Sequence, residues 1–406
     1  MAGKVDSHPL HDKPRRAKTP SLFAGALGEF LHPPASQIPF LDGLRTIAIL
    51  LVINGHFNTI FTGRYGENLY SRIPFVPNGW IGVDLFFVLS GFFIGGQLWK
   101  ELLKEGTINI RRFIVRRGLR IWPLYFFTYF FVLIFFWHSS AANQYGWPDV
   151  VFLVNYINHG IVLGGWSLST EEQFYIVTPL LLYLFARKGK PETVRACLWA
   201  ILMFVPLMRT MIWIHHEGNF FAHDPALFAK LYYPFHTHCD GLIMGLIISN
   251  VWVTRRNKVA TKRWRSTLLV VGGFIALVAL RQLQHEVLIF TGLALFFGSL
   301  VWFGLNTGVR LFQSRLFYWI SRLSFGMYLN HPYLEKPVFN GVLPHLRLFP
   351  AGSIASQLLG TFLLSLASAA VAFVTFCLVE HPFLNLRTRL LGERKASQTI
   401  PVPAPQ

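Results

Sequence analysis

The chain is 406 residues long, 53% hydrophobic and only 14% charged, and it carries a net charge of +18. A soluble domain averages about 25% charged residues. A chain this poor in polar surface, with apolar runs of about 20 residues along its length, is therefore a polytopic helical membrane protein and not a soluble domain. The surplus of Lys and Arg collects in loops beside apolar runs, as the positive-inside rule expects, so it does not point to nucleic acid.

In chain order, residues 1–37 open the sequence as a basic segment. MAGKVDSHPLHDKPRRAKTP has no apolar core of a cleavable leader. This segment is expected to be a disordered cytoplasmic tail, with the first span acting as its own insertion signal. Ten spans follow within a membrane domain at 38–385: about 41–61, 79–98, 120–138, 168–187, 195–215, 232–252, 266–281, 286–306, 316–335 and 354–378. The weaker stretch 151–163, VFLVNYINHGIVL, is too short and polar to span and reads as interfacial or re-entrant. Residues 386–406, ending in QTIPVPAPQ, read as a second disordered cytoplasmic tail.

With the N-terminus inside, 28 of the 37 Lys and Arg fall on inside segments and six in outside loops. That asymmetry places both termini in the cytoplasm. The fold class is thus an all-α bundle of about ten spans in a cell inner membrane. No internal repeat is evident, which disfavours a secondary transporter. Cys197, Cys239 and Cys377 lie in separate apolar segments and suggest neither a disulfide framework nor a metal site.

Ionisable residues at membrane depth are costly, so each is a functional candidate. Arg45 and His56 come first. Eleven residues of helix rise about 16 Å, close to three turns, so both side chains share one stripe. A cation near the cytosol with a base deeper in suits an anionic ligand entering from the cytosol, such as acyl-CoA. Alone, Arg45 is equally well read as snorkelling beside Asp42, and His56 as a packing histidine.

Asp84 either orients an imidazole or satisfies a helix end. Arg116, Arg117 and Arg120 form either ordinary inside charge or a phosphate-binding group, since arginine offers a bidentate fork. Glu171 and Glu172 follow WSLST, where helix capping competes with a site role. His236, His238 and Asp240 spell HTHCD. Residues i and i+2 diverge on a helix, so contacts to acceptor or neighbouring helices are favoured there over metal. His331, at the outer end of its span, is an acceptor-site candidate. Glu380 sits at a helix exit, where a structural role is the better reading.

Six segments in order then carry a resemblance: PFLDGLRTIAILLVINGH, NGWIGVDLFFVLSGFFIG, FIVRRGLRIWPLYF, WSLSTEEQFYIVTPLLL, SRLSFGMYLNHPYL and LVEHPF. Together they resemble the acyltransferase family 3 membrane proteins, over about residues 38–385. The resemblance implies a ten-helix O-acyltransferase that uses cytosolic acyl-CoA. It makes His56 the catalytic residue, acting as general base or as an acylated relay. It places Arg45, Arg116, Arg117 and Arg120 at the donor, and maps the glutamate of the WSL motif onto Glu171, beside Glu172. Many relatives carry a hydrolase-like domain after the membrane part. This chain ends about 20 residues past its last motif, so a separate extracytoplasmic transfer protein is a candidate partner. LNHP around His331 departs from relatives with tryptophan before the histidine.

The sequence reading is therefore a membrane O-acyltransferase, foremost an O-acetyltransferase. It moves an acyl group from acyl-CoA to a hydroxyl of a glycan or glycolipid acceptor of the cell envelope. His56, Asp84 and Glu171 are the catalytic candidates, with Glu172, Asp240 and His331 supporting the acceptor. No resident cofactor or metal is expected. The competing readings are a transporter or flippase of a polar lipid or glycan, and a membrane sensor or scaffold.

Overall fold

The computed structural model describes residues 22–31, 38–73, 79–136, 146–186, 190–215, 225–255, 262–283, 287–307 and 312–392. Among the described residues the chain is helical, without strands. Ten long helices fall on the ten expected spans. They are α1 (Pro39–Tyr65), α2 (Ile81–Glu105), α3 (Ile110–Phe136), α4 (Gly165–Leu181), α5 (Pro191–Ile214), α6 (Asp240–Arg255), α7 (Arg263–Gln282), α8 (Ile289–Thr307), α9 (Arg315–Lys336) and α10 (Ile354–Thr375).

Among the described residues, seven helices are long and apolar enough to cross a bilayer: α1, α2, α3, α5, α7, α8 and α10 with its continuation to Leu390. α4 and α6 are shorter, at 17 and 16 residues, and α9 carries Arg315, Arg322, Glu335 and Lys336. The protein is a multi-pass membrane protein. Its position in the bundle follows from which face each helix buries. The apolar window of α2 is 72% buried and lies centrally, whereas that of α7 is 11% buried and lies at the rim. Outward-facing Leu268 and Ile275 on α7, and Phe204 and Met211 on α5, present apolar surface that lipid solvates.

Helix ends follow local chemistry. Proline opens α1 and α5, where a missing N–H costs nothing. Ser353 caps α10 by accepting from the Ser356 N–H. Gly106 closes α2 in the left-handed region, at φ 69°. π-helical turns at Leu182–Ala186, Pro337–Val342 and Phe376–Glu380 extend α4, α9 and α10. Such turns rotate the following residues and cluster at functional positions; the last one delivers Glu380.

The tightest crossing joins α2 and α6. A Cβ on Gly91 would collide with the Leu242 carbonyl, and one on Gly245 with the Val88 carbonyl. Gly91 and Gly245 meet each other, while Gly95 lies against Ser249 and Leu246 and Gly241 against Phe87 and the Asp84 carbonyl, a small-residue crossing in which backbones pack directly. Gly245→Leu would force the helices apart, at a cost on the order of 3 kcal/mol. A thermal melt in detergent checks this: a markedly lower midpoint than the parent's is expected.

The stretch around 151–163 does not span. It forms helices Trp147–Val150 and Val154–Ile157 and then turns back. Fully buried Asp149 pins the turn, accepting N–H bonds from Ile161 (2.7 Å) and Val162 (3.4 Å) and the Tyr125 hydroxyl (3.0 Å). Burial pushes its carboxyl up to about 6, against the pull of those donors.

Part of the expected N-terminal tail lies within the described residues. Leu22–Leu31 forms a helix whose Phe30 stacks on Trp319 at 5.7 Å and meets Phe373 edge-on at 5.0 Å. Trp319 Nε1–H donates to the Phe30 carbonyl at 3.0 Å. The apolar LFAGALGEFL gains from burial against the bundle, which the basic composition of the flanking residues obscured. Residues 1–21 and 32–37 of that tail lie outside the described residues. At the other end, helix His381–Leu390 runs across the expected 385/386 boundary, and 393–406 lie outside the described residues.

Candidate active site

A narrow cavity of about 120 Å³ opens between α1, α2, α3, α4 and α9 and the turn at Phe376–Glu380. At one end of the bundle four guanidinium groups line it, from Arg45, Arg117, Arg120 and Arg322, together with Glu380. These five groups come from four separate pieces of sequence: α1, the basic start of α3 (Arg117 and Arg120), the start of α9, and the π turn. Phe93 supports Arg45, with the guanidinium carbon 4.8 Å from the ring centroid. Arg117 donates to Gln97 Oε1 at 3.1 Å, and Arg322 lies 5.1 Å over Phe376. Glu380 Oε1 is buried without a hydrogen-bond partner. The four cations outnumber the acids near them, Glu380, Glu171 and Asp42, which makes this end anion-attracting.

Midway, Glu171 faces the cavity. It accepts from the Ser90 hydroxyl at 2.6 Å and from Tyr175 at 3.0 Å. Glu172, about 100° around α4, instead accepts from Trp122 Nε1 at 3.1 Å and does not line the cavity.

Past Glu171 the wall is Tyr328, whose hydroxyl lies 2.6 Å from Ser167 Oγ and donates to the Gly164 carbonyl at 3.2 Å. Gly164 has φ 80°, and a Cβ there would sit 3.0 Å from the Tyr328 hydroxyl, so glycine serves both conformation and space. One turn along α9, His331 stands 5.9 Å from Tyr328, ring to ring. It meets His56 edge-on at 4.9 Å. Glu335, a further turn on, places Oε1 3.1 Å from His56 Nδ1. His331 is buried, whereas the His56 side chain is 51% exposed. The result is a polar path: arginines at one end, a carboxylate–tyrosine middle, and two imidazoles with a carboxylate at the far end of the same helix stripe.

The family model for an acyltransferase domain matches residues 38–379. The chain belongs to the acyltransferase 3 family. Among its relatives, the peptidoglycan O-acetyltransferase OatA of Listeria monocytogenes is 24% identical, over 72% of this chain and 49% of the relative. The O-acetyltransferase OatA of Staphylococcus aureus is 27% identical, over 60% and 40%. The putative peptidoglycan O-acetyltransferase YrhL of Bacillus subtilis is 28% identical, over 54% and 34%. The chain thus spans about half or less of the length of these relatives. No solved structure matches it.

Within this acyltransferase 3 chain, Arg45, Arg117, Arg120 and Glu171 share the cavity, while His56 and His331 form the far cluster. Arg116 is half-buried outside the cavity lining. Asp84 does orient an imidazole, but that of His238: Nε2 to Oδ1 is 2.9 Å, with His238 Nδ1–H donating to the Tyr232 carbonyl at 2.7 Å. Asp240 forms a two-pronged pair with Arg209 at 2.7 and 3.0 Å. Thr291 and the carbonyls of Thr237 and Val287 complete the shell around Arg209. Asp84 and Asp240 belong to neither the cavity lining nor the His56 cluster. The side chains of HTHCD diverge: His236 faces the Tyr156 hydroxyl at 3.1 Å, His238 faces Asp84, and Asp240 faces Arg209.

Sequence reasoning passed over Glu335 and Tyr328 and gave Arg322 and Glu380 no site role. A signal for Glu335 existed, because His331 and Glu335 are i and i+4 on one helix face. Glu380 had none, because the π turn that aims it has no simple sequence mark.

Proposed function

We propose that this chain is a membrane O-acetyltransferase. It takes the acyl group of acetyl-CoA at the arginine end of the cavity and places it on a glycan hydroxyl at the His56 cluster beyond it. The observation that carries this reading is the shared stripe of α1: Arg45 in a four-arginine cavity, and His56, about 16 Å further along, against Glu335. The arginine end faces the cytosol of a cell inner membrane, in keeping with the basic loops on that side. The acceptor class is a cell-envelope glycan, as the names of the relatives suggest for them.

The donor's phosphates are held by Arg45, Arg117, Arg120 and Arg322 through charge-assisted bonds. Its pantetheine arm threads past Glu171 toward Tyr328. At the far end, His56 Nε2 accepts the proton of the acceptor hydroxyl as that oxygen attacks the thioester carbonyl carbon. The C–S bond breaks and CoA leaves as thiolate. Glu335 beside Nδ1 stabilises the imidazolium that forms, as a carboxylate does behind a histidine base.

The test uses protein reconstituted in liposomes, labelled acetyl-CoA and a glycan acceptor fraction. Label in the glycan is expected. Arg120→Ala should raise KM for acetyl-CoA by roughly tenfold or more with a smaller effect on kcat, because phosphate contacts are made in both ground and transition states. Unlabelled glycan with both acetyl-CoA and longer acyl-CoA would favour a transporter instead.

A further inference from the structure

We propose that His56, His331 and Glu335 form a binding site for a borderline divalent cation, with zinc as the representative ion. One donor atom from each residue lies within 4.8 Å of the others. Four features argue for the site. First, the donor set of two imidazoles and one carboxylate, leaving a further position open, is one that zinc takes. Second, His331 is held ready: its Nδ1–H donates to the Met327 carbonyl at 3.1 Å. That bond fixes the tautomer and turns the Nε2 lone pair outward, the usual support behind a metal-bound histidine. Third, His331 Nε2 is buried and has no hydrogen-bond partner, in a residue only 1% exposed. A buried lone pair without a partner is costly and rare, and a bound cation would satisfy it.

Fourth, Glu335 Oε1 is 3.1 Å from His56 Nδ1 and yet accepts no aligned hydrogen bond. Zinc–nitrogen and zinc–oxygen bonds of about 2.1 Å give a tetrahedral edge of about 3.4 Å between ligands. The pair already stands near that separation, and rotation of the half-exposed His56 side chain closes the rest. Magnesium and calcium, which want oxygen ligands and higher coordination, do not suit this set.

The binding claim stands apart from the acyl-transfer reading, and only its consequence for activity rests on that reading. A histidine ligated through Nδ1 keeps its proton on Nε2, the nitrogen assigned as base. Zinc and catalysis therefore compete, and occupancy inhibits transfer until a chelator removes the ion.

The experiment uses the full chain, purified without a histidine tag, stripped with chelator and placed in lipid nanodiscs. Zinc chloride is titrated by calorimetry, with magnesium chloride as control. The expected result is about one zinc per chain and no magnesium uptake. Glu335→Gln and His331→Asn should weaken zinc binding on the order of 100-fold, while His236→Ala leaves it unchanged. A matching thermal melt shows that each variant is folded, and Glu335→Gln, at the more exposed residue, serves if His331→Asn is not. No stoichiometric zinc, or equal binding by parent and Glu335→Gln, overturns the proposal. Zinc binding by a chain that transfers no acyl group even after the chelator has removed the ion would leave the site standing and remove the acyl-transfer reading. Transfer without zinc binding would do the reverse.

Discussion

His56→Ala lowers acetyl transfer by roughly 10²- to 10⁴-fold, the range a positioned general base contributes. The loss is expected on kcat, because the proposed mechanism puts His56 against the acceptor hydroxyl and not the donor's phosphates. Its fold should survive: the side chain is 51% exposed, and its neighbours are the polar His331 and Glu335. Glu335→Gln costs less, since the imidazole stays in place and loses only the charge that stabilises its protonated form. Single-turnover kinetics on protein of matched thermal stability separate these effects. A His56→Ala variant with unchanged kcat removes the base from the mechanism.

The largest stability effect belongs to Arg209. It is fully buried, as is Asp240, and every one of its polar contacts is internal. Removing one partner leaves a buried charge uncompensated, at about 3–5 kcal/mol. Arg209→Ala and Asp240→Ala should therefore each depress the melting temperature steeply and reduce protein in the membrane. The pair Arg209→Met with Asp240→Leu replaces both charges by apolar bulk and should recover much of the loss. Recovery stays incomplete because the Thr237 and Val287 carbonyls lose their donor. Melts of the two single variants and the double variant decide it. Single variants as stable as the parent would show that the pair carries no structural load.

Hydropathy made the ten helices legible, since a bilayer permits few ways to bury apolar runs and satisfy backbone groups. The charge map also separated Arg45, Arg117 and Arg120 from His56 and His331. Contacts between distant segments were harder to read. Asp84 reads in the sequence either as orienting an imidazole or as satisfying a helix end; its partner His238 lies 154 residues away and no local period reveals the pairing. Arg209 and Asp240, 31 residues apart, pair for the same hidden reason. Glu172 reads like Glu171 in the sequence, and only the rotation of α4 separates cavity from Trp122. The helix Leu22–Leu31 was masked by its basic surroundings, since its burial depends on Trp319 and Phe373 far along the chain.

The proposed mechanism puts a donor site at the arginine end of the cavity and an acceptor site at the His56 cluster, beyond the cavity lining, on opposite sides of the bilayer. Sealed vesicles of known orientation test it. Labelled acetyl-CoA is supplied only to the side of the basic loops, and the glycan acceptor only to the other. Labelled glycan is expected with the parent protein and none with His56→Ala. Label that forms only when donor and acceptor share one compartment would contradict it.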